Sequence, residues 1–199
     1  MSRRTGPGLG TITFLSGLML LSACAHQSTP GLSLLSLPPS PDDLGASTVM
    51  TIEPQWVVAR VDIPEYLQSS RVRYRDGATT LAEWPDARWA ERLEIGLTRQ
   101  LTQALSKHRA VCAAPCDVSA PATPTLHVRF DALDARRDIG QVQASVVWWL
   151  NSPRQTTPIR LTRLTVTEPL PDGTAQAYAS ALTRLTTQLA GQISTGLQP

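Results

Sequence analysis

Apolar residues recur along this chain with two different periods, and the change of period outlines its elements. Leu126, Val128, Phe130 and Ala132 alternate with His127, Arg129 and Asp131. Val142, Ala144, Val146, Trp148 and Leu150 alternate with Gln143, Ser145, Val147 and Trp149. A period of two sends successive side chains to opposite faces of a half-buried strand. Residues 159–168 alternate less cleanly and are rich in threonine, which predicts a third strand. Asp138-Ile139-Gly140 and Asn151-Ser152-Pro153 supply turns between the three, so an antiparallel meander is expected. Upstream, residues 55–62 form a β-branched run that Pro64 ends. Arg71-Val72-Arg73-Tyr74-Arg75 alternates ahead of the hairpin dipeptide Asp76-Gly77, with residues 79–83 as the return strand.

Elsewhere the period is close to four. Trp89, Leu93, Leu97, Leu101 and Leu105 make one stripe, and Asp86 stands ahead of it as an N-cap. The spacing predicts a helix over residues 87–107. Tyr178, Leu182, Leu185, Leu189 and Ile193 predict a second over 175–195. The expected fold class is α+β: two layers, a largely antiparallel sheet with both amphipathic helices on one face.

The first fifty residues follow neither period. Arg3 and Arg4 precede a mostly apolar run over residues 11–21, too short to span a bilayer as a helix. Leu21-Ser22-Ala23-Cys24 follows and resembles the lipobox of bacterial lipoproteins. The resemblance implies removal of residues 1–23 and lipidation of Cys24. Each buried methylene contributes ~0.8 kcal/mol, so several acyl chains on one residue hold firmly. Ala25 rather than aspartate after the cysteine favours the outer membrane, with the domain facing the periplasm. Residues 24–48 then read as a proline- and serine-rich tether, and residues 49–199 as a single domain. The leucines at 32, 34, 35 and 37 are the exception within the tether, expected to dock on the domain or on a partner.

Charge changes the picture only after cleavage. The precursor carries 18 basic and 16 acidic residues, and the leader removes two arginines and no acid. The mature chain is therefore balanced, and no nucleic-acid surface is expected. Cys112 and Cys116 remain, either as a disulfide closing a small loop or as free thiols; an oxidising compartment favours the disulfide. They lack the further ligands of a metal site.

No set of residues converges on chemistry. His26 lies in the tether, His108 follows the first helix, and His127 sits on the polar side of a strand. No catalytic triad, phosphate loop or paired metal-ligating histidines is present. Asp131, Asp134 and Asp138 cluster near a turn, where Arg136 and Arg137 would neutralise them. Catalytic residues, metals and cofactors other than the covalent lipid are therefore not expected. Trp148-Trp149 is the most unusual dipeptide: on a strand, Trp148 joins the apolar row and Trp149 faces the other way. Trp149 is then either covered by a loop or by the tether leucines, or it marks a partner or self-association surface.

Several stretches match a known pattern: Ile63-Pro64-Glu65-Tyr66-Leu67, Val72-Arg73-Tyr74-Arg75, Leu81-Ala82-Glu83 and Arg88-Trp89-Ala90-Glu91-Arg92-Leu93. Together with the lipobox, tether and final helix they resemble the PqiC/YmbA-type ABC-transport auxiliary lipoproteins. Arg92 replaces a usual proline, and Gln68-Ser69-Ser70 replaces a usual Asp-Arg. The resemblance implies a non-enzymatic outer-membrane subunit of a lipid or solute transport system. Its partners would be an MCE-domain protein and, through it, an inner-membrane ABC transporter or permease. A homo-oligomer is a further expectation. Tyr66 and Leu67 carry the motif and join Trp149 as candidates for a partner or self-association surface. The alternative is a carrier lipoprotein that takes a lipid or small ligand on its own.

Overall fold

A computed structural model of the chain describes residues 31–38, 55–116 and 123–197. In chain order the strands are β1 (Ser33–Leu35), β2 (Trp56–Val58), β3 (Arg71–Asp76), β4 (Thr80–Trp89), β5 (Val111–Ala113), β6 (Thr125–Arg136), β7 (Gln141–Asn151) and β8 (Arg160–Pro169). Helix α1 (Leu93–Ser106) lies between β4 and β5, and α2 (Ala175–Gly196) follows β8.

The predicted meander is the centre of the sheet. β7 pairs antiparallel with β6 on one side and with β8 on the other. Gly140 and Gly173 adopt positive φ at the turns that begin β7 and precede α2, a conformation glycine takes without a Cβ clash. The second edge of β6 is divided. β2 runs parallel to its first residues, and a bridge between Asp62 and Arg129 continues that pairing. β3 meets its far end at Arg75 opposite Arg136. β5 extends the β2 arm; β4 and then β1 extend the β3 arm. The sheet is mostly antiparallel, with β1, β2 and β5 as short parallel additions.

Buried residues alternate along β6 and β7, so one face is covered. The α2 stripe predicted from spacing does the covering: Tyr178, Leu182, Leu185, Leu189 and Ile193 are all fully buried. Thr174 caps this helix, its hydroxyl accepting the Ala177 N–H at 3.1 Å. Helix α1 lies alongside through Leu93, Leu97, Leu101 and Leu105. Trp148 packs under the end of α2, so close that a Cβ on Gly196 would stand 3.1 Å from its ring.

Three expectations need correction. The first helix starts at Leu93 after an extended Arg92, not at residue 87 after an Asp86 cap. Pro85, Asp86 and Trp89 instead belong to β4. Arg73 pairs with Glu83 but Arg71 pairs with Arg88, so residues 84–87 bulge opposite Val72 alone. Pro85 sits in that bulge, where its missing N–H breaks no ladder bond. The Trp89 N–H then donates to the Ser70 carbonyl at 2.7 Å and keeps the strand going. Trp89 fell in step with the helical stripe by coincidence of spacing. The run at 55–62 pairs regularly only over Trp56–Val58. Finally, the stretch read as tether supplies β1, parallel to β4, and Leu35 and Leu37 enter the core.

Leu182→Ala is expected to cost about 2–5 kcal/mol in urea unfolding, because the cavity forms between helix and sheet. Leu161→Ala, at 65% exposure, is expected to change stability by less than ~0.5 kcal/mol.

Candidate functional site

The residues from 63 to 67 make a short 3-10 turn, Glu65–Leu67, that plugs the divided edge of β6. The Phe130 N–H is taken by the Asp62 carbonyl at 2.9 Å, and strand pairing resumes only at Arg136. Between them the Leu133 N–H points at the Tyr66 hydroxyl, 3.5 Å away, and that hydroxyl donates to Asp134 Oδ1 at 3.0 Å. Arg75 grips the same carboxylate through both oxygens, Nη2 to Oδ1 at 3.2 Å and Nε to Oδ2 at 3.1 Å. Arg73 Nη1 donates to the Tyr66 carbonyl at 2.7 Å. Burial first, and the Asp134 charge second, push the Tyr66 phenol above its ordinary value.

Beneath this polar bridge lies an aromatic cluster. Tyr74 and Trp84 stand 4.7 Å apart, Trp84 and Tyr178 5.8 Å, Trp89 and Tyr178 6.0 Å. The Arg137 guanidinium lies 4.5 Å from the Tyr74 ring centre. Trp84 Nε1 donates to the Gly173 carbonyl at 3.2 Å, tying β4 to the start of α2. The motif residues thus converge on a support that joins turn, sheet and helix. This corrects the reading of Leu67 as partner surface. Leu67 is 2% exposed and belongs to the core, and the half-buried Tyr66 has its hydroxyl committed to Asp134.

Trp149 does face away from the helices, and part of its surface remains open. His127 stands opposite it in register and stacks flat on the indole, 5.0 Å between centroids and 5° between planes. The neighbouring strand supplies this stacking partner. Strand alignment alone would have paired these two rings. Leu161 lies beyond Trp149 on β8, largely exposed. Burial depresses the His127 imidazole below its ordinary value, and the nearby Asp62 opposes part of that shift.

The three turn-proximal aspartates are all engaged by arginines. Asp131 meets Arg129 and Arg163, Asp134 meets Arg75, and Asp138 meets Arg136. Among the described residues no three acidic, histidine or cysteine side chains gather as metal ligands. Cys112 and Cys116 form a disulfide across the end of β5. Beside it an open groove of about 500 Å³ runs along α1, and Arg99 in it is paired with Glu91. Cys24 lies outside the described residues.

A family model described as the ABC-type transport auxiliary lipoprotein component matches residues 35–194. The chain belongs to that family. It is therefore a transport-associated, membrane-anchored lipoprotein, in a family of auxiliary components and not of enzymes. Among curated proteins nothing matches it. Two solved structures share the auxiliary-lipoprotein fold. One, an uncharacterized protein, is 20% identical, with 84% of this chain and 99% of that one covered and a TM-score of 0.65. The other, protein XCC0632 from Xanthomonas campestris, is 16% identical, with 82% and 91% covered and a TM-score of 0.59.

Two expectations follow. Tyr66→Phe removes the bridge to Asp134 and is expected to cost about 1–2 kcal/mol in denaturant unfolding. His127 is held neutral by the fold, so the unfolded chain takes up its proton first as pH falls below the ordinary 6.5. Its contribution is complete above that pH and is lost below it. His127→Gln is expected to flatten the stability–pH curve in that window, and NMR titration should place the His127 pKa below 6.5.

Proposed function

We propose that this lipoprotein is the outer-membrane end of an MCE/ABC-type transport system, docking an MCE-domain protein without catalysing a reaction. The observation that carries this reading is the family match across nearly the whole described fold. Residues 1–23 are a signal peptide, Cys24 is the lipidated N-terminus of the mature chain, and Ala25 directs it to the outer membrane. The domain stands on the periplasmic face and needs no cofactor beyond its lipid. Through the MCE protein it connects with an inner-membrane ABC transporter or permease that moves lipid or another solute. The geometry supports an interaction role by leaving Trp149 and Leu161 on the uncovered sheet face, where an indole backed by His127 offers a rigid apolar contact.

Crosslinking in intact cells with tagged protein, followed by mass spectrometry, is expected to recover an MCE-domain protein. The yield should fall severalfold for Trp149→Ala and for a Cys24→Ala chain, which should also leave the membrane fraction. Recovery of the chain alone, with unchanged envelope permeability on gene deletion, would count against the docking role.

A further inference from the structure

Strand β1 has a consequence for how the domain sits on its membrane. It is three residues long, yet it is held firmly. Ser33, Leu34 and Leu35 pair with Ala87, Arg88 and Trp89, and the Ala90 N–H donates to the Leu35 carbonyl at 2.7 Å. Leu37 is 3% exposed and lies on α1, where a Cβ at Gly96 would meet its Cδ1 at 3.3 Å. Gln100 Nε2 donates to the Leu37 carbonyl at 3.4 Å and also to that of Pro38. The chain is therefore attached to the domain by residue 33, well before the proline-rich stretch ends.

That attachment shortens the leash. Leu32 stands eight positions after Cys24, so the link reaches at most about 29 Å when fully extended. A domain of this size has a radius of gyration of about 15 Å. With β1 docked, the β1 edge stays within about one domain diameter of the anchored lipid.

This edge is apolar where it is open. Leu32 is 60% exposed and Leu34 68%. Alternation places both on the face opposite Leu35, and Arg88 stands beside Leu34 in register. We propose that the β1 edge is a membrane-contact surface. Leu32 and Leu34 enter the boundary between headgroups and acyl chains of the leaflet that holds the Cys24 lipid, with Arg88 at the level of the phosphates. The inference rests on the reading of Cys24 as the anchor. The occupant follows from chain length, since eight positions after Cys24 hold this edge within about 29 Å of the lipid that anchors it. β8 then lies at the opposite edge of the sheet from β1.

The test uses the full acylated chain in vesicles of phosphatidylethanolamine and phosphatidylglycerol. Leu32→Cys, Leu34→Cys and Thr156→Cys each introduce one reactive thiol, since Cys112 and Cys116 are disulfide-bonded and Cys24 is acylated. Each carries an environment-sensitive fluorophore, and the vesicles carry a shallow lipid-attached quencher. The labels at 32 and 34 are expected to lose about half of their emission, as interfacial apolar groups do, while the label at 156 stays near its unquenched level. A chain that floats with the vesicles but shows equal weak quenching at all three positions overturns the membrane contact alone. A chain that does not float overturns the anchor and this inference with it.

Discussion

Everything in this fold is placed by strand β6, which must satisfy both of its edges with different partners. One edge is simple, because β7 follows it through a tight turn and pairs along its length. The other is shared between β2 at one end and β3 at the other, and neither strand covers the middle. Backbone N–H and C=O groups left unpaired inside a fold are costly. The 3-10 turn carrying Tyr66 answers that cost with one side chain, whose hydroxyl meets the Leu133 N–H and donates a hydrogen bond to Asp134. Arg75 then fixes Asp134 from β3. The polar bridge therefore joins the two arms of the sheet, and the aromatic cluster below it joins the sheet to α2.

This arrangement separates support from surface. The residues that carry the family resemblance, from Ile63 to Leu93, lie in the bulge of β4, in the plug of β6 and under the start of α2. Their chemistry is that of a fold needing arginine forks and packed rings to hold a branched sheet. The face left open lies on the meander, where His127 and Trp149 stack and Leu161 adjoins them. Two edges also divide the labour. Under the membrane-contact proposal the β1 edge meets the lipid, and β8 lies at the opposite edge of the sheet.

Much of this was legible in the chain. The meander, both helical stripes and the turn glycines were readable because each is a local pattern whose period matches its element. The Cys112–Cys116 loop was legible as a geometric option, and the structure closes it. The failures have equally specific causes. Trp89 stands four residues before Leu93, so periodicity assigned it to α1. Only a partner strand could reveal that residues 84–87 are a bulge that carries the chain onward. Leu35 and Leu37 sit among prolines and serines, so the docking expected of these leucines could be read from the sequence but not the surface that receives them. Their burial depends on an edge of β4 and a glycine on α1 that lie far away in sequence.

The sequence by itself determined the three-strand meander, the buried stripe of each helix, the resemblance to a lipobox, and the family that these features resemble. Each depends on residues within a few positions of one another, where spacing and side-chain chemistry suffice. Tertiary structure alone decided that Leu67 serves the interior, that Tyr66 bridges to Asp134, and that His127 stacks on Trp149. Those outcomes depend on which strand lies beside which, and strand pairing between distant segments is set by competition for the edges of β6 and β4, which local pattern does not encode.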